Sequence, residues 1–211
     1  MSRSPSPIRI MAVDDHAVLR EGLAALIGSQ PDMELVAEAV NGQEAIEKHS
    51  MHNPDVTLVD PGLPDMSGVD VIMAIRQRMP KARFVVLTTF RGDVQALRAL
   101  KAGAAGYLLK STLRKDLLET IRVVHQGGKR IPSDVSFEIA THAADDQLSE
   151  RELDVLRWVA EGCSNKAVGS RLAISEDTVK NHMRTILSKL GANDRTHAVT
   201  IAIRRGYLDL K

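Results

Sequence analysis

The feature that most constrains this chain is a series of short aliphatic runs that end in charged residues. Two acidic residues follow the run Ile8–Val13, one follows Val56–Val59, and a lysine follows Tyr107–Leu109. Short β-branched and aliphatic runs of this kind are typical of buried parallel strands. The carboxyl ends of such strands converge on one edge of a sheet, where ligands bind. The sequence therefore predicts one pocket that contains Asp14, Asp15, Asp60 and Lys110.

The first part of the chain alternates strand and helix patterns. The predicted strands are Ile8–Val13, Glu34–Ala39, Asp55–Asp60, Ala82–Thr88 and Gly106–Leu109. The predicted helices are His16–Gly28, one capped by Asn41, one capped by Ser67, Asp93–Ala102 and Leu113–His125. Five (βα) units of this length predict an α/β domain, a doubly wound parallel sheet with right-handed crossovers, over residues 8–128.

The last part of the chain carries only helical periodicity. Ser149 and Glu152 form a predicted capping box that opens a helix ending near Gly162. Three further helices are predicted, from Ser164 to about Leu172, over Glu176–Leu190 and over Asp194–Arg205. Two short helices joined by the three-residue turn 173–175 indicate a helix-turn-helix in a small four-helix domain over residues 148–211. Residues 129–147 are predicted to be a linker, with a short helix at Ser133–His142 and a solvated stretch at Ala143–Gln147.

Composition narrows the class of protein. A length of 211 residues suits two small domains, and 44% hydrophobic with 26% charged residues is ordinary for a globular protein. Cys163 has no partner for an internal disulfide, and no apolar run reaches the length of a membrane span. Met1–Pro7 lacks the apolar core of a signal peptide and is interpreted as a loose tail. We therefore expect a cytoplasmic protein.

The net charge of +1 is unevenly distributed. Residues 1–142 carry equal numbers of acidic and basic side chains, whereas residues 147–211 carry 11 basic and 8 acidic ones. The excess is small, but it lies in the part of the chain where a nucleic-acid partner is expected.

The predicted acidic pocket suits phosphoryl chemistry with magnesium. Crowded carboxylates repel one another unless a cation binds, and Mg²⁺ prefers carboxylate and phosphate oxygens. Asp60 is the candidate nucleophile, and Lys110 and Thr88 are candidates to contact phosphoryl oxygens. Direct Mg²⁺ ligands are predicted from Asp15, Asp60 and the carbonyl of Gly62, with Asp14 acting through water. An isolated Asp-Asp pair is more often a solvated turn, and Thr88 alone is equally explained by a local hydrogen bond.

The third helix of the last part carries a candidate DNA-reading face. Opposite its apolar stripe lie Lys180, Asn181, Arg184 and Ser188. Arginine and lysine donate to guanine edges, and asparagine pairs with adenine. Two basic residues alone usually mark a solvated helix face, but the tight turn and the preceding short helix favour DNA binding. Candidate phosphate contacts are Ser164, Asn165, Lys166, Thr178 and His182.

These motifs resemble the NarL/FixJ family of response regulators, with a receiver domain and a LuxR-type DNA-binding domain. The receiver resemblance rests on Val13-Asp14-Asp15-His16, on Asp60 followed by Leu63-Pro64 and Ser67-Gly68, on Thr88, and on Ala102–Lys110. The second domain matches in Leu148–Glu152, Gly162–Lys166, Ile174–Lys180, Lys189-Leu190-Gly191 and Arg195-Thr196. The resemblance covers nearly the whole chain, from Ile8 to Tyr207.

The resemblance implies a flavodoxin-like receiver and a phosphorylation switch. A histidine kinase is expected to phosphorylate Asp60, after which Thr88 and Tyr107 reorient. The freed second domain is expected to form a homodimer, partly through its fourth helix, on paired half-sites of double-stranded DNA. Lys180, Asn181 and Arg184 are then expected to face the bases.

One residue departs from the family pattern. Pro61 follows the expected phosphoacceptor, where the family has a backbone N–H that helps to bind the phosphoryl oxygens. Loss of one such donor costs roughly 1.5–3 kcal/mol. Local adjustment with a water molecule is an equally good expectation.

Three functional hypotheses remain open from the sequence. The first is a transcription regulator switched by phosphorylation of Asp60, and the second is a regulator whose receiver works without phosphorylation because of Pro61. The third is a magnesium-dependent phosphatase or phosphotransferase that uses Asp60 as its nucleophile. This third hypothesis lacks a general acid near Asp60 and leaves the basic helix unexplained, so we expect no enzyme beyond self-phosphorylation and self-dephosphorylation.

Overall fold

The computed structural model describes residues 6–89, 92–142 and 147–208. Most of the predicted tail, residues 143–146 of the predicted linker and the last three residues of the predicted second domain lie outside the described residues. The described residues form two compact units. One contains residues 6–89 and 96–133, and the other contains residues 92–95, 134–142 and 147–208.

Five parallel strands form the sheet of the first unit, in the order β2-β1-β3-β4-β5. The strands are β1 (Ile8–Val13), β2 (Met33–Ala39), β3 (Val56–Val59), β4 (Phe84–Thr88) and β5 (Gly106–Leu109). The helices that follow them are α1 (Ala17–Gly28), α2 (Gly42–His52), α3 (Gly68–Arg78), α4 (Asp93–Ala102) and α5 (Leu113–His125). The predicted doubly wound α/β fold is confirmed.

The central strands are buried along their whole length because both faces of the sheet are covered. Every residue of β3 and β4 is buried. α1 packs against α5, and α2 packs against α3. β3 is shorter than predicted: it ends at Val59, so Asp60 lies directly beyond the strand rather than within it. Because Asp60 lies outside the strand, its side chain does not have to point to one face of the sheet as strand side chains do.

The strand order reverses next to β1, which lies between β2 and β3. In an open parallel sheet the crevice at such a reversal, beyond the carboxyl ends of the strands, is where ligands bind. Asp14 and Asp15 follow β1, and Asp60 follows β3. The fold therefore places the three predicted acidic residues at this crevice.

Local signals fix where α2 and α3 begin. The Asn41 side chain accepts a hydrogen bond from Glu44 N at 2.9 Å, and Ser67 accepts one from Val69 N at 3.2 Å. Gly68 starts α3 against the backbone after β3. A Cβ at Gly68 would collide with the carbonyl oxygen of Asp60 and lie 2.9 Å from Pro61 Cα. Only glycine therefore lets α3 begin this close to the acidic crevice.

Five helices form most of the second unit. They are α6 (Ser133–Thr141), α7 (Glu150–Ala160), α8 (Asn165–Leu172), α9 (Glu176–Leu190) and α10 (Arg195–Arg205). The Ser149–Glu152 capping box opens α7 as predicted, and Gly191 ends α9 with φ 60°. No helix within the described stretches combines the length and apolar character needed to cross a membrane.

The turn between α8 and α9 is tight because Gly169 has no side chain. A Cβ at Gly169 would lie 2.7 Å from the carbonyl oxygen of Ile174. Ala173 ends α8 in the left-handed conformation, with φ 53°, and Ser175 caps α9 by accepting a hydrogen bond from Thr178 N. These contacts hold α8 and α9 in the predicted helix-turn-helix arrangement.

The core of the second unit is mainly aliphatic, with the buried Tyr207 and the half-buried Trp158 as its aromatic members. Trp158 is half-buried, and the guanidinium of Arg171 lies 4.2 Å from the centre of its ring. Leu187 of α9 is half-buried as well. The fully buried residues of α9 are Val179 and Ile186, with Met183 and Leu190 nearly so.

Candidate functional site

Acidic side chains from two strand ends meet in the first unit. Asp14 is fully buried, Asp60 is 6% exposed and Asp15 is exposed. One ligand atom from each of Asp14, Asp15, His16 and Asp60 lies within 4.8 Å of the others. The structure thus brings together the three carboxylates that the sequence predicted, and adds a histidine.

Lys110 joins the two buried carboxylates. Its Nζ lies 2.5 Å from Asp60 Oδ2 and 2.8 Å from Asp14 Oδ2. Burial alone would lower the pKa of Lys110, but the hydrogen bonds to Asp14 and Asp60 outweigh it and raise that pKa. The lysine is therefore held in its charged form beside the acidic pair.

The two buried carboxylates differ in their protonation equilibria. Burial raises the pKa of Asp60 above its usual value, and Lys110 and Gly62 offset this only in part. For Asp14 burial also opposes ionisation, but hydrogen bonds from Lys110 and His16 outweigh it, so its pKa is lowered. The surroundings therefore favour the ionised form of Asp14 more than that of Asp60.

The backbone after Asp60 supplies one donor. Gly62 N donates to Asp60 Oδ1 at 3.0 Å. Pro61 lies between the two residues and has no N–H to give. The nearest backbone donor therefore comes from the second residue after Asp60 rather than from the first.

Thr88 and Tyr107 lie on neighbouring strands and are both buried. The Tyr107 hydroxyl and the Thr88 side chain form a hydrogen bond, and burial raises the pKa of Tyr107 to about 12. Thr88 ends β4 and Lys110 directly follows β5, so both lie at the edge of the sheet where the carboxylates gather. The two residues predicted to move together are thus already in contact.

The acidic cluster suits a hard divalent cation. Its donors are mainly carboxylate oxygens, the ligands that Mg²⁺ and Mn²⁺ prefer. Asp14 Oδ2 is buried, and among the described residues it has no donor besides Lys110 Nζ at 2.8 Å. A buried carboxylate oxygen with spare acceptor capacity fits a cation or its water shell.

In the second unit, α9 presents a polar face opposite its buried stripe. Lys180, Asn181, Arg184 and Ser188 are exposed, as the helical spacing predicted. Arg184 Nη1 donates to Asn181 Oδ1 at 3.1 Å, and Lys180 Nζ lies 3.2 Å from both Glu176 and Asp177. Side-chain hydrogen bonds to Glu176 and Asp177 raise the pKa of Lys180, so this face is charged and held by local pairs.

The predicted phosphate contacts lie around the two short helices. Ser164 caps α8 by accepting a hydrogen bond from Ala167 N at 3.3 Å, and Lys166, the second residue of that helix, is exposed. Asn165, Thr178 and His182 are half-buried. The Thr178 hydroxyl is 2.8 Å from Ser175 Oγ, so it also takes part in the cap of α9.

Two contacts were missed by sequence reasoning. His16 Nδ1 lies 3.0 Å from Asp14 Oδ1 and 2.8 Å from Asp15 Oδ1. Arg195 Nη2 donates to the carbonyl of Cys163 at 2.8 Å and fixes the loop before Ser164. The signal for His16 was its position next to the acidic pair, whereas a contact across 32 residues leaves no local signal for Arg195.

Comparisons with known proteins agree with this division of the chain. Residues 10–122 match the response regulator receiver domain, and residues 146–202 match the bacterial regulatory proteins of the luxR family. The transcriptional regulatory protein DegU of Brevibacillus brevis is 34% identical over 227 residues, which cover 97% of this chain and 96% of DegU.

Solved structures show the same architecture. The response regulator ChrA of a heme-sensing two-component system is 32% identical, with a TM-score of 0.57, over 96% of this chain and all of ChrA. The response regulator RcsB in its DNA complex is 21% identical, with a TM-score of 0.69, over 94% of this chain and 99% of RcsB, and this likeness supports the fold alone. The receiver domain matches more than half of the sequence, the luxR-type domain matches its last part, and DegU is similar to the chain over nearly the full length. The chain therefore belongs to the NarL/LuxR family of DNA-binding two-component response regulators.

Proposed function

We propose that the chain regulates transcription through phosphorylation of Asp60. The observation that carries this proposal is the position of the Asp60 carboxylate, next to β3, beside Lys110 and within the acidic cluster. A carboxylate oxygen of Asp60 attacks the phosphorus of a phosphohistidine in a sensor kinase. A P–O bond forms, the P–N bond breaks, and the kinase imidazole leaves.

The residues around Asp60 stabilise the charge that is transferred. Lys110 places an ammonium against the carboxylate and the incoming phosphoryl oxygens, and Thr88 supplies a hydroxyl at the same edge. Asp15, Asp60 and the carbonyl of Gly62 would hold Mg²⁺ directly, with Asp14 acting through water. When bound, the ion supplies positive charge that neutralises the phosphoryl oxygens. The receiver performs no reaction beyond its own phosphorylation and dephosphorylation.

The switch then passes through Thr88 and Tyr107. Drawing the Thr88 hydroxyl toward a phosphoryl group would break its hydrogen bond to the buried Tyr107 and change the surroundings of that side chain. This coupling supports the proposal that the two residues reorient together.

In the DNA-bound form α9 enters the major groove as the recognition helix. Lys180, Asn181 and Arg184 read base edges. Phosphates and the flanks of the groove are contacted by Ser164, Asn165, Lys166, Thr178, His182 and Ser188. A homodimer, formed partly through α10, places two such helices on paired half-sites. We assign residues 8–128 to the receiver, 129–147 to the linker and 148–211 to the DNA-binding domain, and propose that the protein acts in the cytoplasm.

Pro61 favours a second candidate function, a receiver that works without phosphorylation. The phosphoryl group would lack the N–H that Pro61 cannot provide, at a cost of roughly 1.5–3 kcal/mol. Against this candidate, the Gly62 N–H, which donates to Asp60 Oδ1, could bind a phosphoryl oxygen in place of the missing N–H of residue 61. If the second candidate is right, Asp60→Ala leaves regulation of a reporter gene unchanged, and if the first is right, regulation is lost.

DNA affinity tests the switch directly. Binding of the full chain to its operator is measured with and without beryllium trifluoride, a phosphoryl mimic, in the presence of Mg²⁺. A phosphorylation switch predicts tighter DNA binding with the mimic, because DNA that bound both states equally would not shift the equilibrium between them. Asp60→Ala is the matched control and is expected to abolish the effect of the mimic. Equal affinity of the unmodified chain in both conditions rejects phosphorylation control.

A further inference from the structure

We propose that the first unit has a further ligand site, a cavity that binds a small aromatic carboxylate at the edge of the sheet opposite to Asp60. The cavity has a volume of about 500 Å³. Pro54 and Asp55 line it just before β3 begins, and Lys81 and Arg83 line it just before β4 begins. It therefore lies at the amino ends of these two strands, whereas the acidic crevice lies at the carboxyl ends.

The size and the walls of the cavity suit an aromatic ring. Pockets for small molecules have volumes of roughly 300–1,000 Å³ and are lined mainly by apolar side chains. Apolar side chains line this cavity at four positions: Pro54, Met79, Pro80 and Ala82. The proline rings are rigid, and the thioether of a methionine makes favourable contacts with aromatic rings. A flat apolar body is therefore a good fit between these walls.

Two cationic side chains at the cavity determine the charge of the ligand. Lys81 is exposed and Arg83 is half-buried, and neither forms an ion pair with any residue in the described ranges. The carboxylate of Asp55, which also lines the cavity, accepts a hydrogen bond from Arg9 N at 2.9 Å. A guanidinium binds a carboxylate through two parallel N–H···O bonds. The unpaired cations thus favour a ligand that carries a carboxylate.

A buried polar side chain next to the cavity also lacks a partner. His49 lines the cavity, is 1% exposed and stacks on Phe84 with 6.0 Å between the ring centres. Neither of its ring nitrogens has a hydrogen-bond partner among the described residues. Burial lowers the pKa of His49, so the neutral ring offers one donor and one acceptor.

The unpaired imidazole gives a ligand something to gain at the inner end of the cavity. Buried polar groups are nearly always hydrogen-bonded, because leaving one unpaired is costly. The nitrogens of His49 are shielded from solvent, so the ring must turn toward the cavity before a ligand can reach them. Binding is therefore expected to change the surroundings of the His49 ring as well as those of the cations.

The experiment titrates naphthoate, a fused aromatic ring with one carboxylate, into the full chain. Backbone amide NMR signals of Met79, Lys81 and Arg83 and the ring signals of His49 report binding at the cavity. Two further probes separate the contributions of the ligand: naphthylmethanol has the ring without the charge, and acetate has the charge without the ring. The ring signals of His125, at the end of α5, are the internal control.

The variant that tests the cations is Arg83→Gln. The backbone carbonyl of Arg83 accepts a hydrogen bond from Thr57 N, and this contact does not need the side chain. The matched control is Arg114→Gln, which removes an exposed arginine in the first turn of α5 that does not line the cavity.

We expect naphthoate to shift the cavity signals and the His49 ring in a saturable way, with the His125 ring unchanged. Arg83→Gln should weaken binding roughly 5-fold, the equivalent of about 1 kcal/mol for a partly exposed ion pair. Arg114→Gln should bind as the unmodified chain does, and both naphthylmethanol and acetate should bind more weakly than naphthoate.

Three results would overturn the inference. The first is the absence of saturable shifts at the cavity, and the second is equal naphthoate binding by Arg83→Gln and the unmodified chain. The third is binding of naphthylmethanol or acetate as tight as that of naphthoate, because the site would then not select an aromatic carboxylate.

Discussion

The acidic crevice of the first unit and the exposed face of α9 are both polar, yet they are built in opposite ways. Asp14, Asp60 and Lys110 are held by buried ion pairs at the ends of separate strands. On the exposed face of α9, Lys180 and Arg184 pair with residues three or four positions away along the helix, in solvent. Buried pairs are screened weakly and exposed ones strongly. The crevice is therefore preorganised, whereas the pairs on α9 are weak enough to exchange for DNA.

The largest effect on stability should come from removing the positive charge of Lys110 from the acidic crevice. Lys110→Met leaves two buried carboxylates without their partner, which costs about 3–5 kcal/mol of unfolding free energy. Hydrogen exchange of amides in β1 and β3 measures this loss. Mg²⁺ should restore part of the stability if the carboxylates bind it.

The control for that variant is Lys101→Met, which removes an exposed lysine from the last turn of α4. It should change stability by less than about 0.5 kcal/mol. Equal effects of the two variants would show that the crevice is no more preorganised than the surface, and the contrast with α9 would break down.

Gly68→Ala tests how closely α3 approaches the crevice. The added methyl group would meet the backbone of Asp60 and Pro61, so the loop must shift at a cost of about 1–3 kcal/mol. Gly22→Ala is the matched control, since a Cβ there meets nothing within 4 Å in α1. That variant should instead stabilise the protein by about 0.5–1 kcal/mol. Denaturant unfolding of both variants measures the change in unfolding free energy. A change of the same sign in both variants would contradict the close approach of α3 to the crevice.

On α9, Arg184→Ala should weaken operator binding by about 1–3 kcal/mol and relax the preference at one base position. Lys166→Ala, on α8, should weaken binding to all sequences about equally and reduce the salt slope by about one. Binding isotherms on specific and scrambled duplexes at several salt concentrations separate the two outcomes. If Arg184→Ala leaves both affinity and preference unchanged, the assigned face of α9 is wrong.

The smallest effect concerns the ion pair between Glu152 and Lys189 in the second unit. Burial opposes ionisation of Glu152, but hydrogen bonds from Ser149 and Lys189 outweigh it and lower its pKa. A carboxyl whose folded pKa lies below its unfolded value of about 4.5 stabilises the fold at higher pH. Stability should thus fall as the pH drops below that value toward the folded pKa. Glu152→Gln should flatten this dependence in acid unfolding followed by Trp158 fluorescence.

The sequence predicted the elements well because their signals are local. Capping residues such as Asn41, Ser67 and Ser149 and the aliphatic strand runs each act within a few residues. The gathering of the carboxylates was predictable as well, since parallel strands share one edge.

Contacts between distant elements were not predictable from local patterns. The Thr88–Tyr107 hydrogen bond depends on the register of β4 and β5, and the tight approach of Gly68 depends on the path of the chain after β3. The edge position of Trp158 depends on Arg171 from the neighbouring helix. Each of these needs the three-dimensional arrangement that periodicity alone does not contain.

The central claim, that Asp60 accepts a phosphoryl group despite Pro61, is tested most directly by mass spectrometry. The full chain is incubated with acetyl phosphate and Mg²⁺ and then weighed, alongside Asp60→Ala. We predict the added mass of one phosphoryl group on the unmodified chain and none on the variant. No added mass on the unmodified chain, or the same addition on both, would contradict the claim.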